Sequence, residues 1–77
     1  MVQYSQMEKY YKQLADNLRV ERAKRKLSQQ KLAILSNVSI ETIGAIEREI
    51  ANPTLDTLIS IALALDVDLN TLLSLKK

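Results

Sequence analysis

The sequence predicts an all-α fold, a compact bundle of five helices, and three observations carry that expectation. Apolar residues recur at spacings of three and four along five segments. A Ser, Thr or Asp stands ahead of each segment after the first, where a helix takes its N-cap. The 77 residues include one Gly and one Pro, too few to punctuate the turns of a sheet, and the apolar set is rich in Leu, Ile and Ala with no Trp or Phe. A chain of this length supports one domain, residues 1–77, with residues 1–9 read as an N-terminal extension of the first helix.

The first helix is expected over about residues 5–26. There Tyr10, Tyr11, Leu14, Leu18 and the stem of Arg22 make one inward stripe, and Lys24-Arg25-Lys26 suits the C-terminal end of the helix dipole. Ser28 caps a second, short helix over about 29–35, with Leu32 and Leu35 toward the core and Ala33 small enough for a close neighbour. Asn37 tolerates the left-handed conformation and closes a tight turn. Ser39 caps the third helix, over about 39–48, with Ile43 and Ile46 inward. Asn52-Pro53-Thr54 breaks the chain, and Thr54 caps a fourth helix over about 55–65. Leu55, Leu58, Ile59, Ala62 and Leu65 form its main face; Ile61 and Leu63 widen that face and predict a central, nearly surrounded helix. Asp68 caps a last helix holding Leu69, Leu72 and Leu73.

Without Cys or His, the usual zinc, thiol-nucleophile and imidazole-base chemistries are excluded, and no disulfide forms. Carboxylate pairs such as Glu47/Glu49 have no nucleophile–base set beside them, and the scattered Asp and Glu lack ligand spacing. No catalytic residue, metal, cofactor or small-molecule ligand is therefore expected. No apolar run reaches the roughly 18 residues of a membrane span. The polar opening residues do not read as a secretory signal, so a cytoplasmic protein is expected. The net charge is +2, but residues 1–31 hold eight basic and three acidic side chains while 32–77 hold three and six. That polarity, densest at Arg19, Arg22, Lys24, Arg25 and Lys26, suits a polyanion partner; taken alone, it suits a solvated helix face equally well.

Residues 29–48, a short helix, a three-residue turn and a second capped helix, meet the requirements of a helix-turn-helix. The stretch Leu27-Ser28-Gln29-Gln30-Lys31-Leu32-Ala33, then Thr42-Ile43-Gly44-Ala45-Ile46-Glu47-Arg48, Asn52-Pro53-Thr54-Leu55 and Ile61-Ala62-Leu63-Ala64-Leu65, resembles the phage-repressor and Cro-type (lambda-repressor-like) helix-turn-helix family over residues 14–73. Small restriction-modification controller proteins share this pattern. The resemblance implies a homodimeric, sequence-specific regulator that places helix 39–48 in the major groove of double-stranded DNA at a pseudo-palindromic operator.

It also implies roles for individual residues. Ile40, Glu41, Thr42 and Ala45 would read base edges, Glu41 by accepting from a cytosine amino group. Gln29, Ser39, Lys31 and Arg48 would meet phosphates. Arg22 and Glu47 would form a buried structural ion pair. Leu69, Leu72, Leu73 and Leu75 would either complete the core or form the dimer interface, and Tyr4, Tyr10 and Tyr11 would pack or line its rim. Gly44 would let a DNA backbone approach closely.

Three segments depart from the family pattern. Lys26 and Asn37 stand where glycine is common, and Glu49-Ile50-Ala51 replaces a loop usually rich in Gly and cations. Each phosphate that this loop leaves unneutralised lowers the salt-dependence slope by about 0.9, with the basic end of helix one and Lys31 as partial compensation. This loop and the Ile40/Glu41 pair leave a second class open: a protein-interaction or antitoxin-type module that keeps the fold and binds DNA weakly.

Overall fold

The computed structural model describes residues 4–75, excluding the side chains of Tyr4 and Ser5, so the expectations for Tyr4 and for residues 1–3 fall outside the described residues. Within them the chain forms five helices and no strand: α1 (Tyr4–Lys24), α2 (Gln29–Ser36), α3 (Ile40–Glu47), α4 (Leu55–Leu65) and α5 (Leu69–Leu73). Ser28, Ser39, Thr54 and Asp68 each accept a hydrogen bond from the backbone N–H three residues on, at Lys31, Thr42, Thr57 and Thr71. Every helix after α1 thus starts by the same device, which satisfies a donor that has no partner inside the helix.

The connections share a second device. Lys26, Asn37, Glu49, Asp66 and Ser74 all adopt positive φ, between 55° and 64°, while the single glycine does not. Asn37, Asp66 and Ser74 terminate α2, α4 and α5 directly, returning their N–H groups to carbonyls of the last turn. Only Lys26 and Asn37 were foreseeable, as positions where glycine is common.

Leu14, Leu18, Leu32, Ile43, Ile46, Ile61, Ala62, Leu65 and Leu72 form the buried core, to which every helix contributes. α1 packs on α5 and α3, α2 on α3 and α4, and α4 on α5. Asn17 fastens the middle of α1 to α5, donating to the Leu72 carbonyl and to Ser74 Oγ, both at 2.8 Å.

Several inward faces differ from expectation. Tyr10 is exposed and Tyr11 half-buried, so the buried stripe of α1 begins at Leu14. Leu35 is 51% exposed, and Ser36 takes the inward place. Ser36 lies one turn after Leu32 on its face, and its hydroxyl donates to the Leu32 carbonyl at 2.7 Å, so burying it strands no polar group. α4 is not surrounded. Ile61, Ala62 and Leu65 are buried, whereas Leu55, Ile59 and Leu63 face outward, because α4 packs chiefly on α2 and α5, which leaves its other side uncovered among the described residues. Leu72 is 0% exposed and fills its own core, so it cannot serve as a dimer contact; Leu69 and Leu73 are half-buried against that core, and only Leu75 is exposed.

Candidate nucleic-acid interface

The α2–turn–α3 unit is held from within. Asn37 turns the chain through its left-handed conformation, and the Val38 N–H returns to the Ala33 carbonyl at 3.2 Å. Ser39 then starts α3, accepting from the Thr42 N–H at 3.1 Å and donating its own hydroxyl to Thr42 Oγ1 at 2.8 Å. α3 divides cleanly. Ile43, Gly44, Ile46 and Glu47 are buried, and Ile40, Glu41, Thr42 and Ala45 lie on the exposed or half-exposed side. Glu41, Thr42 and Ala45 form one wall of an open groove whose other wall is Ala51, Asn52, Pro53, Thr54 and Thr57.

Glu47, the last residue of α3, is the fastening point. Its carboxylate is 6% exposed by residue and accepts from Arg22 Nε at 2.8 Å, from Arg22 Nη2 at 3.0 Å and from Gln29 Nε2 at 3.0 Å. Arg19 Nη1 donates to its backbone carbonyl. Side chains of α1 and α2 therefore converge on the end of α3. Burial pushes the Glu47 carboxyl up, but the hydrogen bonds from Arg22 and Gln29 and the charges of Arg22 and Arg19 outweigh it and hold it below the usual carboxylate range. The same contact raises Arg22, against the opposing effect of burial.

The residues expected at phosphates fare differently. Gln29 has its side-chain amide on Glu47, so what it can offer an anion is its backbone N–H in the first turn of α2. Ser39 is occupied as an N-cap, and Lys31 is exposed with its backbone N–H on Ser28 Oγ. Arg48 is exposed but folds back along α3: its Nη1 lies 2.9 Å from where a Cβ would stand on Gly44, and Gln29 Oε1 lies 3.8 Å from it. Gly44 is thus buried and makes room for the protein's own side chains rather than for a DNA backbone.

The basic stretch of α1 is largely consumed inside the fold. Arg19 pairs with Asp16 at 2.6 Å, Lys24 and Arg25 pair with Glu21 at 3.3 Å and 2.8 Å, and Arg22 pairs with Glu47. The Arg25 hydrogen bond, then Lys24, hold the buried Glu21 below its ordinary value against the effect of burial. Among the described residues Lys26, Lys31 and Arg48 make no ion pair, so they are the cations left for a polyanion near this end.

Two contacts had no signal in the sequence. Tyr11 Oη donates to Asn52 Oδ1 at 3.3 Å, which ties α1 to the loop bordering the groove, and Arg19 reaches the C-terminal carbonyl of α3. Both partners are remote in sequence and belong to no periodic pattern. Among the described residues no cluster of acidic side chains could hold a metal ion, and no helix is long and apolar enough to cross a membrane.

The helix-turn-helix family model matches residues 18–72. Control protein C.SmaI of Serratia marcescens is 43% identical over 61 residues, which span 79% of this chain and 73% of that protein. Among solved structures, the restriction-modification controller protein C.AhdI from Aeromonas hydrophila is similar with a TM-score of 0.77 and 32% identity, over 80% of this chain and 94% of that one. A helix-turn-helix transcriptional regulator from Vibrio cholerae gives a TM-score of 0.79 and 34% identity, over 84% of this chain but 36% of that longer chain.

Proposed function

Because the chain belongs to the helix-turn-helix family, we propose that it is a sequence-specific DNA-binding transcription regulator of the restriction-modification controller kind. In this reading it works in the cytoplasm as a homodimer, each copy laying α3 in the major groove of one half of a pseudo-palindromic operator. The observation that carries the reading is the division of α3. Its inner face is locked through Glu47 to α1 and α2, while Ile40, Glu41 and Ala45, with Thr42 held by the Ser39 cap, stand on one open groove wall or beside it.

Ile40 and Ala45 offer methyl contacts to thymine, and Glu41 offers an acceptor to a cytosine amino group. Phosphate contacts would come from the N-terminal amides of α2 and α3 and from Lys31 and Arg48. With so few strong donors on the reading face, DNA shape and pairing of two half-sites carry much of the discrimination. Selection from random duplexes, followed by a salt titration, tests this. An enriched dyad with half-sites about one helical turn apart supports it, and no enriched motif at low salt overturns it.

One observation favours the second reading, a protein-interaction or antitoxin-type module: most cations of the basic stretch are already paired inside the fold. An obligate protein partner without any DNA footprint would select that reading instead.

A further inference from the structure

The geometry points to Tyr11 as a positioning residue for DNA binding: from α1 it holds Asn52, on the far wall of the groove, with its amide N–H groups turned to a backbone phosphate. This deepens the DNA-binding reading above and rests on it.

Asn52 is exposed on the wall opposite Glu41, Thr42 and Ala45. From residue 49 to residue 75 the chain has no Lys or Arg, so this wall offers a polyanion no cation. Any donor it presents is neutral. Among the residues lining the groove, Asn52 alone carries a side-chain N–H. A phosphate oxygen only accepts hydrogen bonds, so the amide serves it only with Nδ2 outward and Oδ1 turned away.

Tyr11 takes up that other end. Its Oη donates to Asn52 Oδ1 at 3.3 Å, which engages the acceptor and leaves the two N–H groups of Nδ2 for a ligand. At that length the bond adds little stability, and its effect is one of orientation. Without it the side chain is free to turn its oxygen toward the phosphate and be repelled.

The loop has few other anchors. Glu49 and Ile50 return their N–H groups to the Ile46 and Ala45 carbonyls at 3.0 Å, and Thr54 caps α4. Between them, Ala51 and Pro53 make no hydrogen bond among the described residues. The Tyr11 contact thus bridges the part of the wall that neither α3 nor α4 holds by hydrogen bonding. It comes from the same helix that clamps the end of α3 through Arg19 and Arg22. One helix sets both walls of the groove.

The test measures binding of wild type, Tyr11→Phe, Asn52→Ala and the double variant to two duplexes, the one enriched by selection and an unrelated one. Tyr11→Phe keeps the ring, so the urea midpoint should barely move. Asn52→Ala should weaken binding to both duplexes about 5-fold and Tyr11→Phe about 3-fold, the range of one neutral hydrogen bond. Neither should change the salt slope, because a neutral amide neutralises no phosphate. In the Asn52→Ala background, Tyr11→Phe should add no further loss, which a merely structural tyrosine would not obey. The inference is overturned if Tyr11→Phe binds like wild type, if its loss persists in full beside Asn52→Ala, or if either variant alters which bases are preferred. Wild type that binds neither duplex at low salt would instead defeat the functional reading itself.

Discussion

Arg22 and Glu47 grip each other through two hydrogen bonds, Nε to Oε2 at 2.8 Å and Nη2 to Oε1 at 3.0 Å, and so join α1 to the last residue of α3. The carboxylate is almost wholly buried and the guanidinium mostly so. Removing one partner therefore leaves a charge without compensation in a poorly solvated site. Arg22→Met or Glu47→Leu alone should cost about 3–5 kcal/mol in urea unfolding, and the double variant should recover most of that loss. Additive losses would show that the pair does not act as a unit.

Acid should expose the same carboxylate. Glu47 and Glu21 both titrate below their ordinary range in the folded chain, so the unfolded chain binds protons more readily. Their contribution is fully present above the unfolded value and is lost as the pH falls through the folded one. The urea midpoint should hold near neutrality, where no His titrates, and decline once the pH drops below about 5. The decline should be shallower in the Arg22→Met/Glu47→Leu double variant.

Glu49 holds a φ of 64° without being a glycine. A left-handed L-residue costs roughly 1–2 kcal/mol, partly offset because glycine would loosen the unfolded chain. Glu49→Gly should therefore raise stability by about 0.5–1 kcal/mol, read by calorimetry. A loss of stability would mean that the Glu49 side chain makes a compensating contact.

Gly44→Ala makes an opposite-looking change with the same expected sign. The new methyl would meet Arg48 Nη1 at 2.9 Å, the far end of a flexible exposed side chain that can swing away. Helix propensity then gains roughly 0.5–1 kcal/mol, and thermal melting should show it. Destabilisation would place Arg48 in a fixed role against α3.

On DNA, Arg48→Ala should weaken binding to all duplexes alike and lower the salt slope by about 0.9, whereas Glu41→Ala should change which bases are selected. A uniform effect of Glu41→Ala across sequences would remove it from the reading set.

What the sequence discloses is local. Ser28, Ser39, Thr54 and Asp68 declare their helices because a cap acts on an N–H three residues away, and α4 has the expected bounds for that reason. The faces of α4 were not legible. In a helix apolar nearly all round, periodicity offers no contrast, so nothing separated buried Ile61 from exposed Leu63. The fate of the cations was hidden similarly: Arg19 reaches Glu47 across 28 positions, and Tyr11 reaches Asn52 across 41. In the candidate site, the outward set on α3 followed from spacing, but the diversion of the Gln29 amide onto Glu47 depended on helices crossing in three dimensions.

The two faces of α3 also bear on how such a domain diversifies. Ile43, Ile46 and Glu47 are bound to the core and its ion pair, so drift there is punished by unfolding. Ile40, Glu41 and Ala45 support little of the fold, and exchanging them alters stability by the few tenths of a kilocalorie typical of surface positions. On the proposed reading, a lineage can therefore rewrite which DNA word it answers to while its scaffold stays under unchanged selection.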